Sequence, residues 1–110
     1  VTEKDVNDIL RYIKSLYSEE YADKLKKVYL YGSYARGNYG DYSDVDIAGI
    51  VEGERLDLQN RLKHIWDKTP ELLDRYDVIV SPTVIPYNEF EDYKDVLPYY
   101  RNIVNEDIET

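Results

Sequence analysis

Two β-prone runs joined by a polar, glycine-bearing connection constrain this chain more than any other feature. Val28-Tyr29-Leu30-Tyr31 stops at Gly32, and Asp44 to Val51 opens as an acidic–apolar alternation and ends wholly apolar. Runs of this length and β-branched or aromatic content read as strands, and a residue without Cβ ends the first with a turn. Residues 34–43 separate Ser33 from Asp44, and Gly37 and Gly40 mark that stretch as a loop. Side chains two apart on a strand share a face. Asp44 and Asp46 therefore project together, while Val45 and Ile47 turn to the core.

Helical periodicity brackets these strands. Val6, Ile9, Leu10, Ile13, Leu16 and Tyr17 follow the three-and-four spacing of an amphipathic helix over about residues 3–18, with Thr2 as its N-cap. Leu56, Leu58, Leu62, Ile65 and Trp66 predict a second helix, and Pro70 interrupts it or starts a short one through Leu73. Tyr76 to Val80 reads as a third strand ended by Ser81-Pro82, and Thr83-Val84-Ile85 as a short fourth. Val96, Leu97, Tyr100, Ile103 and Val104 set a last helix, which Pro98 starts or kinks. Glu89, Glu91, Asp92 and Asp95 read as a charged face. The order α-β-β-α-β-(β)-α describes a mixed α/β or α+β single domain over residues 1–110, with no internal repeat and no linker.

Composition narrows the function classes. At 110 residues the chain suits one domain with one core. Its formal net charge is -9, so a broad electrostatic grip on nucleic acid is not expected. A polyanionic ligand must be taken through metal ions or a local donor site. No cysteine is present, which excludes disulfides and thiolate metal sites. No apolar run is long enough to span a membrane and no signal peptide is visible, so a cytoplasmic protein is expected.

The polar connection carries the candidate chemistry. Two carboxylates on one strand face repel each other unless a cation lies between them. Mg²⁺ takes one or two carboxylates and fills its other positions with water and phosphate oxygens. A third carboxylate from a neighbouring strand would complete a two-metal clamp. Asp77, which opens the third strand on this reading, is the candidate, and Asp74 competes with it. Gly32 lets a phosphate approach the backbone, and Ser33 adds a hydroxyl and an N–H at the start of a helical turn. Arg36 could reach a phosphate, or it forms a surface ion pair. Ser43 is another donor, or a loop hydroxyl. A chance match to Gly-Ser-x10-Asp-x-Asp in a chain of this composition is on the order of 3 in 1000, so coincidence is a poor explanation. His64, the only histidine, has no nucleophile paired with it and reads as packed or solvated. Tyr29, Tyr31, Tyr34, Tyr39 and Tyr42 cluster around the motif; core packing and loop anchoring account for most of them, and one could stack on a base.

Gly32-Ser33-Tyr34-Ala35-Arg36-Gly37 with Ser43-Asp44-Val45-Asp46 resembles the signature of the minimal nucleotidyltransferases, the smallest members of the DNA polymerase β-like superfamily. Leu97-Pro98-Tyr99-Tyr100-Arg101-Asn102-Ile103 resembles that group's C-terminal segment. The resemblance implies a small mixed sheet flanked by helices, of the polymerase β palm-like kind. It implies Mg²⁺ and ATP, with Asp44, Asp46 and Asp77 as metal ligands and catalytic acids. It further implies an antitoxin that adds AMP to a HEPN ribonuclease toxin. Two other readings stand beside it. One is a nucleotide-binding or steric antitoxin of the same fold without catalysis. The other is a transferase acting on a small molecule, for which no second domain forms an acceptor pocket.

Overall fold

A computed structural model of the chain describes residues 3–32, 44–106 and 108–109. Helix α1 (Glu3–Tyr21) is followed by a 3₁₀ turn (Ala22–Lys24), strand β1 (Leu25–Tyr31) and strand β2 (Val45–Val51). Helices α2 (Arg55–Trp66) and α3 (Thr69–Tyr76) lead to strand β3 (Val80–Pro86). Helices α4 (Tyr87–Tyr93) and α5 (Pro98–Glu106) and the two-residue strand β4 (Ile108–Glu109) complete the order. The sheet runs β3-β2-β1-β4, with β1 antiparallel to both β2 and β4 and β2 parallel to β3. The parallel pair is possible because α2 and α3 supply the crossover. The mixed sheet flanked by helices is the fold class expected from the sequence.

Alternation along the strands sorts the core into two layers. Val28, Leu30, Val45, Ile47, Val51, Val80 and Val84 face α1, α2 and α3. On the opposite face Tyr29, Ala48, Ile50 and Ile85 pack against Phe90, Tyr100 and Ile103 of α4 and α5. This double coverage explains why β2 loses its alternation: its distal half is buried on both faces and is apolar throughout. Tyrosines fill much of the core. Buried Tyr17 donates its hydroxyl to the Thr83 carbonyl at 2.6 Å, and Tyr21 donates to the Leu58 carbonyl at 2.8 Å. Each brings a large ring inside while satisfying its polar end.

Three boundaries differ from the sequence reading. The first helix runs to Tyr21, not residue 18. Of the predicted third strand, Tyr76–Val80, only Val80 is strand; the predicted fourth is the middle of a longer strand, Val80–Pro86, which runs through Ser81-Pro82. Pro82 is tolerated because β3 is a sheet edge, where a missing N–H breaks no ladder bond. Residues 87–93, read only as part of a charged face, form α4, whose single fully buried anchor is Phe90. Pro98 starts the last helix, as one of the two sequence alternatives has it. Thr2, the expected N-cap, lies outside the described residues. No helix among the described residues is long and apolar enough to cross a membrane.

Candidate active site

At the end of β1, Gly32 adopts φ +79°, the left-handed region that favours glycine. A Cβ at this position would lie 2.4 Å from Asp46 Oδ2. The bare Cα of Gly32 and the Asp46 carboxylate thus occupy adjoining space, a close approach that only glycine permits. The β1–β2 register sets Tyr31 directly opposite Asp46. Across β2 on the other side, Ser81 of β3 is level with Asp46, and Thr83 is level with Ala48. The Val45 N–H donates to the Ile79 carbonyl at 2.8 Å, which carries the same register outward and sets Asp44 level with Ile79. Asp44 and Asp46 are both partly exposed, while Val45 and Ile47 are fully buried. β2 begins at Val45, so Asp44 just precedes it; buried Val45 and Ile47 on either side of half-exposed Asp46 follow the strand alternation read from the sequence.

The Asp46 side of the site is lined by hydroxyls. Tyr31 Oη is 2.9 Å from Tyr99 Oη of α5, and the two rings meet edge to face with centroids 6.1 Å apart. Thr83 Oγ1 donates to the Ile47 carbonyl at 3.0 Å. Burial drives the Tyr31 phenol pKa well above its ordinary value; the bond to Tyr99 adds to the rise, Thr83 opposes it, and the Asp46 charge contributes last. Tyr31 therefore stays a neutral hydroxyl facing the carboxylate. Sequence reasoning singled out Tyr31 only as one of a tyrosine cluster and did not find Ser81, Thr83 or Tyr99. The tyrosine density around the motif is the one signal that pointed here; the register that selects Tyr31 is not written locally.

Asp77 is placed differently from the sequence reading. It does not open a strand. It ends α3 in the left-handed conformation (φ 55°, ψ 43°), with its N–H on the Leu73 carbonyl at 2.9 Å, and β3 begins later, at Val80. An aspartate tolerates this helix-ending geometry better than most residues. Its side chain is exposed. Asp74 lies within α3, also exposed. Ser33, Arg36 and Ser43 lie outside the described residues, as do Gly37, Gly40, Tyr34, Tyr39 and Tyr42. His64 is solvated, with Nδ1 2.6 Å from Glu20 Oε1.

The donor set fits one hard divalent cation. Asp44 and Asp46, both half-exposed, are two residues apart at the start of β2, and two carboxylates suffice for a cation whose other ligands are phosphate oxygens and water. Among the described residues no group of three carboxylates or imidazoles gathers into a ready-made cage.

The chain is similar to several known proteins. A protein of Methanocaldococcus jannaschii named as a putative protein adenylyltransferase is 30% identical over 104 residues, spanning 94% of this chain and 92% of that one. Another from the same organism, named in the same way, is 36% identical over 80 residues, 73% of this chain and 79% of that one. A crystal structure described as a toxin–antitoxin with AMP-PNP overlays on 99% of this chain and 72% of its own, at 18% identity and a TM-score of 0.49. Residues 6–108 match the family described as the nucleotidyltransferase domain. The chain belongs to that family of enzymes, and its general reaction is nucleotidyl transfer.

Proposed function

We propose that this chain moves AMP from Mg²⁺-bound ATP to a hydroxyl on another protein, and that the acceptor is a HEPN ribonuclease toxin which the modification silences. The observation that carries the reading is the packing of the Asp46 carboxylate against the bare Gly32 Cα, beside Asp44, in a chain of the nucleotidyltransferase family. The names of the relatives support a protein acceptor. The motif's resemblance to minimal nucleotidyltransferases supports the toxin.

Asp44 and Asp46 would hold the cation through their shared face. When bound, Mg²⁺ offsets the charge on the triphosphate and on the departing pyrophosphate. Gly32, Ser33 and Arg36 would hold the β and γ phosphates, with Ser43 as a further donor. Asp77, exposed at the end of α3, would steer the acceptor hydroxyl or accept its proton. The bond from the acceptor oxygen to Pα forms as the Pα–O–Pβ bond breaks, and pyrophosphate leaves. Positioning and electrostatics supply most of the rate.

Asp46→Asn tests this directly. It removes a charge while keeping shape, so the fold should survive. AMP transfer, followed with labelled ATP and the partner, should fall by roughly a hundredfold or more, beyond what loss of a supporting outer-shell contact costs. Undiminished transfer would refute the mechanism.

The position of Asp77 at a helix end favours a second reading, a nucleotide-binding or steric antitoxin. In that case Asp77→Asn, Asp46→Asn and wild type would neutralise the toxin equally, and the toxin's mass would not change.

A further inference from the structure

We infer that Tyr31 is a positioning residue for Asp46, held in place by Tyr99 of α5. The inference rests on reading Asp46 as a metal ligand. Directly opposed residues of an antiparallel pair have Cβ atoms about 4.5–5.5 Å apart on one face, so the Tyr31 ring rises alongside the Asp46 side chain. Gly32, the next residue, closes another side of the same carboxylate. Consecutive residues of β1 thus bound Asp46 and limit where its oxygens can point.

The ring itself is fixed from two directions. Tyr99, on the first turn of α5, meets it edge to face and shares a 2.9 Å hydroxyl contact. Thr83, on β3, faces the same hydroxyl and is anchored by its bond to the Ile47 carbonyl. Tyr31 therefore ties α5 and β3 to the strand that carries the carboxylates. Tyr31 also packs on the apolar layer of Tyr29, Phe90 and Tyr100, while its partner Tyr99 is 50% exposed. The aromatic link at the sheet's end therefore joins that layer to Asp46.

A freely rotating carboxylate binds a cation more weakly than one held in the productive rotamer, because binding must then order it. The consequence falls on cation affinity, with little effect on nucleotide contacts made by residues after Gly32.

The test is Mn²⁺ binding in the presence of AMP-PNP, read by electron paramagnetic resonance, with thermal denaturation of each variant alongside. Tyr31→Ala should weaken Mn²⁺ binding about five- to tenfold while AMP-PNP affinity measured without metal changes less than twofold. Tyr31→Phe keeps the ring and should restore binding to within about twofold of wild type. If Tyr31→Ala does not fold, Tyr31→Leu fills the volume without the flat ring and should show the same weakening. Asp46→Asn separates the two claims. Loss of Mn²⁺ binding in Asp46→Asn with wild-type binding in folded Tyr31→Ala or Tyr31→Leu overturns the role of Tyr31 alone. Wild-type binding in Asp46→Asn overturns the ligand reading and the Tyr31 inference with it.

Discussion

Gly32 shows how much a single residue determines here. Its positive φ costs an alanine roughly 1–2 kcal/mol, and the added methyl would collide with Asp46 Oδ2. The two penalties act on different properties. Gly32→Ala should lower the melting temperature modestly but reduce AMP transfer far more, because the carboxylate must move aside. Parallel denaturation and transfer assays check this; a loss of activity no larger than the loss of folded protein would contradict it. Gly32, Asp44 and Asp46 were legible because turn chemistry and strand alternation are local rules. Tyr31 was legible only as a member of a tyrosine cluster. Its partnership with Asp46, Thr83 and Tyr99 depends on register and on where α5 lands, which no local pattern states. Asp77 was misread as a strand residue for a related reason: the acid before an apolar run looks the same at a strand start as at a helix C-terminus.

Elements are held in register by contacts that the sequence pattern does not announce. Gly49 of β2 is one: a Cβ there would meet the Tyr17 ring at 2.4 Å, and Tyr17 is fully buried with its hydroxyl fixed to Thr83. Gly49→Ala should therefore destabilise by about 1–3 kcal/mol, the range for overpacking, as measured by denaturant unfolding; a neutral substitution would show that α1 can retreat from the sheet. Glu20 is another. It accepts from Arg61 Nε at 3.0 Å and meets His64 Nδ1, joining the end of α1 to α2. Partial burial alone would raise its pKa, but the Arg61 and His64 bonds and charges outweigh burial and hold it below the ordinary 4.5. A depressed carboxylate pKa means the unfolded chain binds more protons, so this contribution is present above about pH 4.5 and fades as pH falls through the lowered value. Glu20→Gln should flatten the acid limb of the stability–pH curve; an unchanged limb would remove Glu20 from the account. At this scale the helices other than α4 and the first two strands were legible from the sequence pattern. The run of β3 through Ser81-Pro82 was not, because whether Pro82 breaks a strand depends on its being at the sheet edge.

Across the whole molecule, an acidic chain of the nucleotidyltransferase family carries Asp46 near the start of β2, beside the end of β1. A net charge of -9 repels a triphosphate, and on the proposed reading a cation between Asp44 and Asp46 would offset that repulsion. Family membership fixes the class of reaction, and the acceptor is the part that is proposed. The central claim is therefore tested most directly on the partner. The HEPN toxin, incubated with this protein, ATP and Mg²⁺, is weighed intact by mass spectrometry, in parallel with Asp46→Asn. The account predicts that the toxin gains AMP with the wild type and stays at its original mass with the variant. A toxin that is neutralised without any gain in mass, or one modified equally by both proteins, would contradict it.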